Sequence, residues 1–251
     1  MFKRFYCFGD LVFSVESPIG LGIDPCLEKF ARENADSVDF AYRINAISAD
    51  DASGAEKDFQ VDRQGNWLEI TLREKLIDKI SVGNLLSNGR GAYLLNERGR
   101  FILHASYVLV NGKGILFTAP SETGKSTQAN YWKQARGAKI VNEDRVIISE
   151  KDGVYYAHGC WAMGRAGVCE NHSAPIRAIV LLGQGDANRC RMPAPREILR
   201  RILPQTTFDQ TSLSARIGIV DMVSAMIGRV PIVAYDCIHH VSAVEELEKY
   251  I

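Results

Sequence analysis

Apolar and polar residues alternate through Val38, Phe40, Tyr42 and Ile44, the period-two pattern of a strand with one face buried. The same reading predicts strands over residues 2–8 and 11–15 around a Gly9-Asp10 turn, and a hairpin in which residues 59–61 and 67–72 flank Arg63-Gln-Gly-Asn66. Asp24-Pro25 opens a short helix through Leu27, Phe30 and Ala31, with Asp as cap and Pro at the first position. Residues 48–57 are a polar loop, and residues 73–80 read as either helix or loop.

From about Ala92 the pattern changes. Residues 93–95, 101–110 and 114–118 read as strands, joined by Arg98-Gly99 and by Asn111-Gly112, a strong signal for a two-residue hairpin. Residues 126–134 carry Ala129 and Trp132 at helical spacing, with Ala135 beyond and Gly137 as a stop. Strands follow over residues 139–141, 145–148, 154–157 and 176–182, then helices over 195–203 and 213–227, and a strand over 230–235. Ser242-Ala-Val-Glu245 reads as a capping box for a last helix. The expected class is α/β with a mixed, largely antiparallel sheet and flanking helices. A β-rich region, residues 1–91, is expected to pack on a core of residues 92–251.

Composition narrows the partners. With 251 residues, 46% of them hydrophobic, the chain can bury a sizeable core. Lys plus Arg and Asp plus Glu number 30 each, so no basic excess points to nucleic acid or an anionic membrane. The six cysteines are scattered without metal-site spacing and are expected to be reduced thiols. Neither a signal peptide nor a run of about twenty apolar residues occurs, so a soluble, cytoplasmic protein is expected.

Chemistry concentrates at Ala119-Pro-Ser-Glu-Thr-Gly-Lys-Ser-Thr127, between a predicted buried strand and a predicted helix. A tight loop entering a helix N-terminus offers backbone N–H groups and the positive end of the helix dipole to an anion. Gly124 lets the backbone approach phosphates, Lys125 reaches the β and γ oxygens, and the Ser126 hydroxyl is a ligand for Mg²⁺, a hard cation that prefers oxygen. Ser121, Glu122, Thr123 and Thr127 complete the expected nucleotide cradle. The pattern G-x-x-x-x-G-K-[ST] is broken at its first position, where Ala119 stands.

Glu143 and Asp144 follow an apolar strand eighteen and nineteen residues after Lys125, where a general base and a Mg²⁺ ligand are wanted. His104 lies mid-strand on the face opposite Leu103 and Ala105; alone, such a histidine is a packing residue more often than a catalyst. Residues 159–172 are rich in small residues, with Arg165 as their one basic side chain. Two readings stand for that segment: a loop that closes on substrate with Arg165 on a phosphate, or an ordinary surface arginine.

His104, the Ser121-x-x-Gly-Lys-Ser126 run, Arg136-Gly137 and the acidic pair Glu143-Asp144 together resemble the catalytic domain of the HPr kinase/phosphorylase family, over roughly residues 92–182. The chain is most similar to the shorter HPr-kinase-like proteins and more distantly to the phosphate loop of phosphoenolpyruvate carboxykinases. The resemblance implies that Lys125 and the loop amides hold the β,γ-phosphates and that Ser126 and Asp144 serve the metal. It makes Glu143 the acceptor of the substrate hydroxyl proton and puts His104 beside that base. Glu143 stands where the family has aspartate, and Ala119 and Glu122 stand where it has glycines, so a carboxylate near the phosphates would weaken nucleotide affinity if Glu122 faces inward. The family's E-x-R-G segment is not recognisable, which implies a kinase without efficient phosphorolysis, and the N-terminal region, shorter than the family's separate first domain, argues against HPr itself as the substrate. Homo-oligomers are implied by analogy alone.

The expected function is therefore an ATP- and Mg²⁺-dependent kinase acting on a hydroxyl, foremost a serine of a protein or peptide. A small-molecule kinase, a nucleotide hydrolase or a non-catalytic nucleotide-binding regulator on the same scaffold are the alternatives.

Overall fold

A computed structural model describes residues 2–47, 59–77, 79–162, 164, 167–208 and 212–251. The polar loop expected over residues 48–57 and the anticipated role of Arg165 lie outside the described residues. The chain separates into two compact units, Met1–Gly91 and Ala92–Ile251. Both contain mixed sheets, so the fold is mixed α/β.

The first unit is built on a six-stranded sheet. Its elements are β1 (Phe2–Phe8), β2 (Leu11–Ser17), α1 (Pro25–Glu28), β3 (Ala31–Arg32), β4 (Phe40–Ile47), β5 (Phe59–Gln64), β6 (Trp67–Arg73), α2 (Glu74–Ile77) and α3 (Val82–Asn88). The strands lie in the order β3-β1-β2-β4-β6-β5. Phe8 pairs with Leu11 across the expected Gly9-Asp10 turn, and the hairpin of β5 and β6 turns at Gly65, whose φ is +63°. Period-two alternation buries Leu68, Ile70 and Leu72 on one face of β6. Asp24 precedes α1 as expected but makes no side-chain cap there; its Oδ2 accepts from Ser81 Oγ at 2.8 Å and Gly83 N at 3.2 Å, at the start of α3.

The second unit contains α4 (Gly91–Glu97), β7 (Phe101–Val110), β8 (Lys113–Thr118), α5 (Lys125–Arg136), β9 (Lys139–Asn142), β10 (Arg145–Lys151), β11 (Val154–His158) and β12 (Ser173–Gln184). It continues with β13 (Arg189–Arg191), α6 (Pro195–Ile202), a 3₁₀ turn (Leu203–Gln205), β14 (Thr206–Thr207), α7 (Leu213–Met226), β15 (Ile232–Cys237) and α8 (Ala243–Glu248). Residues 93–95 are helical rather than extended, because the short run Tyr-Leu-Leu sits in a one-sided helix that buries Leu94 and Leu95; an apolar run of that length does not distinguish the two. The capping box at Ser242 is also absent: Ser242 is itself in the αR conformation and its hydroxyl bonds to His240 Nδ1 at 2.9 Å.

The long sheet runs β11-β10-β7-β8-β12-β15-β13. β8 and β15 flank β12 in parallel, whereas β7–β8, β7–β10 and β10–β11 are antiparallel. β11 also pairs with β12, so β7, β8, β12, β11 and β10 close a circuit. This closure is possible because β7 pairs with β10 through Phe101–His104 and with β8 through Ala105–Val110. Asn111 and Gly112, at φ of +49° and +74°, make the tight β7–β8 turn.

Apolar residues cover both faces of the central strands. Leu116, Ile179 and Leu181 pack with Ile198 of α6 and Ile219 and Val223 of α7. Ile115, Phe117, Val180 and Leu182 pack on the other side with Ala129 and Trp132 of α5 and Val244 and Leu247 of α8. A strand buried on both faces reads as a continuous apolar run, as Ala178–Leu182 does. Cys7, Cys160, Cys190 and Cys237 are free thiols, but Cys26 and Cys169 are each disulfide-bonded, so the expectation of a fully reduced set fails there. Among the described residues no helix is long and apolar enough to cross a membrane.

Candidate active site

β8 ends at Thr118 and the chain then turns through Ala119–Gly124 into α5. The sharpness of that turn is set by two left-handed residues, Glu122 at φ +66° and Gly124 at φ +104°. Glycine adopts such angles at little cost, whereas a Cβ makes them unfavourable. Thr123 Oγ1 donates to Pro120 O at 2.9 Å and closes the loop on itself, and Gln184 Nε2 donates to Glu122 O at 3.4 Å. Ala119 is buried against the α5 side of the sheet, so the position where the motif asks for glycine is used here for packing.

The helix that follows begins abruptly. Gly124 is its N-cap, and the first intrahelical bond is Gln128 N to Gly124 O at 2.9 Å. The earlier N–H groups of an α-helix have no intrahelical acceptor and carry the positive end of its dipole. At the other end Gly137, at φ +62°, stops the helix in the left-handed conformation that the sequence called for. Lys125 is only 7% exposed, and its Nζ donates to Ala119 O at 2.9 Å and Pro120 O at 3.0 Å. Burial lowers the pKa of this ammonium, while Asp144 acts in the opposite direction.

The acidic pair sits at the β9–β10 junction. Asn142, fully buried, holds that bend: its Oδ1 accepts from the N–H of Asp144 and of Arg145, both at 3.1 Å, and its Nδ2 donates to Cys160 O at 3.0 Å. Ser106 Oγ donates to Glu143 O at 3.0 Å, and Ala105 N to Asp144 O at 3.1 Å, which tie the bend to β7. Glu143 is 9% exposed, and burial raises its pKa. Asp144 behaves oppositely, its pKa lowered chiefly by the hydrogen bond to His104 and further by Arg145 and Lys125, against the effect of burial. Two adjacent carboxylates are thus driven apart, one toward proton affinity and one toward permanent charge.

His104 reaches this bend from β7, where it pairs in register with Arg145. Its Nε2 lies 3.2 Å from Asp144 Oδ1, and its Nδ1 lies 3.0 Å from Gln205 Oε1. His104 thus bonds to Asp144, and it lines the same cavity as Glu143, beside which it was expected. Thr118 Oγ1 donates to His104 O at 2.9 Å, so the last residue of β8 links the histidine strand to the loop.

These pieces meet in one cavity of about 530 Å³, lined by His104, Ser121, Glu122, Gly124, Lys125, Ser126, Thr127, Asn130, Glu143, Asp144 and Gly164. The structure therefore brings together the sequence-nominated residues His104, Ser121, Glu122, Gly124, Lys125, Ser126, Thr127, Glu143 and Asp144, whereas Thr123 bonds across the loop instead. Gly164 stands close over the acidic pair, since a Cβ there would come within 3.3 Å of Asp144 Cβ. Asn142, Gln205 and Gly164 were not anticipated: Gln205 and Gly164 meet the site from far along the chain, and Asn142 acts through a local side-chain turn onto Asp144 N and Arg145 N that its place before the acidic pair could have signalled. Among the described residues no group of three His, Cys, Asp or Glu side chains converges as a metal cluster.

No protein-family model matches the chain, and no curated protein is similar to it in sequence. Among solved structures, the Hpr(Ser) kinase/phosphatase from Coxiella burnetii aligns at 15% identity over 37% of this chain and 69% of that one, with a TM-score of 0.27. A likeness of that extent adds no weight, and the reading of the site rests on its own residues.

Proposed function

We propose that this chain is a Mg-ATP-dependent kinase that transfers the γ-phosphoryl group to a hydroxyl, in the first instance a serine of a protein or peptide. The observation that carries the proposal is the single cavity in which the N-terminus of α5, with Lys125 and Ser126, faces Glu143, Asp144 and His104. Phosphoryl transfer needs little covalent chemistry from a protein; it needs charge stabilisation of the transferring group and a placed acceptor.

The residues divide that work. The amides of the loop and of the first turn of α5 would receive the phosphates, and Lys125 would exchange its two carbonyl acceptors for phosphate oxygens. Ser126 and Asp144 would hold Mg²⁺, which neutralises charge on the phosphates when bound. They are a fitting donor set for it, because Mg²⁺ is usually held by one or two carboxylates, waters and the substrate's phosphates rather than by a cage of protein ligands. Asp144 suits a cation because its carboxyl is kept ionised by His104. Glu143 suits a proton acceptor because burial raises its basicity toward the working pH. The serine acceptor rests on the sequence resemblance alone.

The test is calorimetric titration of Mg-ATP into the wild type and Lys125→Ala. Mg²⁺-dependent binding that the variant loses is expected, followed by transfer from labelled ATP to a polypeptide. Binding that is unchanged in Lys125→Ala, or absent from the wild type, overturns the proposal; labelled phosphate appearing on a free metabolite or as inorganic phosphate would redirect it to the small-molecule kinase or hydrolase.

A further inference from the structure

Two strands flank β7 where it carries His104. β10 pairs with Phe101–His104 along one edge, and β14 pairs along the other, Thr206 with Leu103 and Thr207 with Ile102. The residue just ahead of β10 is Asp144 and the residue just ahead of β14 is Gln205, so the two antiparallel registers bring an acid and an amide to His104 from opposite edges. Nε2 of the ring lies 3.2 Å from Asp144 Oδ1, and Nδ1 lies 3.0 Å from Gln205 Oε1.

The backbone that carries Gln205 is held at both ends. Ahead of it, α6 buries Ile198 and Ile202 in the core, with Leu203 packed against the same cluster. Beyond it, β14 is tied to β7, and Thr206 Oγ1 donates to Leu203 O at 2.7 Å, which closes the 3₁₀ turn. An imidazole held by one hydrogen bond still turns about its broad, soft χ2 torsion, whereas a ring bonded at both nitrogens does not. A glutamine suits the second bond because its amide has an acceptor end and a donor end, and one of them meets Nδ1 in either tautomer of the ring. The carboxylate of Asp144 is thereby divided. Oδ1 is taken by His104, while Oδ2 has Arg145 Nε at 3.8 Å, too far for a hydrogen bond.

We propose that Gln205 is a positioning residue of this site: it locks the His104 ring, and the locked ring reserves Oδ1 of Asp144 and leaves Oδ2 to the cation. The inference rests on the reading of Asp144 as a Mg²⁺ ligand and deepens it. Mg²⁺ demands a near-ideal octahedron, so a carboxylate that offers one oxygen in a fixed direction serves it better than one that swings. Groups that orient a metal ligand through hydrogen bonds are worth about 10- to 100-fold in metal affinity or activity. Gln205 stands one bond further out, so an effect of about tenfold, the lower end of that range, is expected.

The test uses the full chain as wild type, Gln205→Met, which keeps the length of the side chain without its amide, and Gln205→Glu, which keeps an acceptor. Calorimetry with ATP, without and with Mg²⁺, measures how much the metal tightens binding. Gln205→Met should bind metal-free ATP as the wild type does and lose about tenfold of the gain from Mg²⁺, whereas Gln205→Glu should retain that gain. An undiminished gain in Gln205→Met, an equal weakening with and without the metal, or a Gln205→Glu that behaves like Gln205→Met would each overturn the inference and leave the kinase reading standing. Wild type that does not bind Mg-ATP would remove both. NMR of the His104 ring in the ligand-free protein decides the brace separately: Nδ1 should be hydrogen-bonded in the wild type and the ring should average over orientations in Gln205→Met. A wild-type ring without that bond overturns the inference even if the variants fail to fold.

Discussion

Glu122 is the residue at which stability and binding can be separated by experiment. It sits at φ +66° in a loop whose other left-handed residue is Gly124. An L-residue with a Cβ in that region is unfavourable by about 1–2 kcal/mol. Glu122→Gly removes that strain but gives the unfolded chain more freedom, which costs about 0.5–1 kcal/mol. The net expectation is a gain of about 0.5–1 kcal/mol. Since each kcal/mol moves the midpoint by about 2–4 °C in a unit of this size, the rise in Tm should be about 1–4 °C. Ser121→Gly is the control, because Ser121 is not among the residues with positive φ and glycine there should destabilise.

The same residue also lines the acidic cavity, beside the place proposed for phosphates. Glu122→Gly should therefore tighten Mg-ATP severalfold. Glu122→Gln separates the two effects, because it removes the charge and keeps the strained backbone: affinity should rise while Tm stays near the wild-type value. Differential scanning calorimetry and titration calorimetry on the same samples measure both. A lower Tm for Glu122→Gly would refute the strain argument, and unchanged affinity in both variants would refute the placement of the carboxylate near phosphates.

Two further predictions concern the acidic pair. For Glu143 the folded pKa is raised by burial, so wild-type stability falls as pH climbs from the unfolded value, about 4.3, through the higher folded one. Glu143→Gln should escape that loss, unfolding at higher temperature than the wild type at neutral pH and at a similar temperature near pH 4, while transfer falls about 10²- to 10⁴-fold with nucleotide affinity little changed; full turnover in this variant would remove Glu143 as the base. For Asp144 the folded pKa is lowered, first by His104, so its stabilisation is present above the unfolded value of about 3.9 and is lost as pH drops through the folded one. Asp144→Asn should accordingly be less stable than the wild type at neutral pH, with the gap closing in acid; a gap that does not change with pH would show that the His104 pairing contributes nothing through charge.

Much of the architecture was legible because it is written in local chemistry. Asn111-Gly112 made a hairpin on sight, since few residue pairs accept positive φ in succession, and Gly137 marked the end of α5 for the same reason. The period-two pattern located β4, the hairpin signal located β5 and β6, and the apolar residues 178–182 mark the doubly buried centre of β12. Where a stretch was short and apolar without a period, as at Tyr93-Leu94-Leu95, the reading failed, because burial on one side of a helix and in a strand look alike over three residues. The Ser242 cap failed for another reason: a nearby histidine takes the hydroxyl that the pattern assigned to the helix.

By itself, the sequence determined which residue types were available for anion and cation chemistry: Gly124, Lys125 and Ser126 in one local run, and Glu143-Asp144 in another. It could do so because backbone conformation, charge and ligand preference are properties of the residues and their immediate neighbours. Only the tertiary structure decided that His104 touches Asp144 and that Gln205 braces the histidine from its other ring nitrogen. Those facts depend on segments distant along the chain being brought together by strand pairing and by burial of apolar faces, and no spacing along the chain records that register.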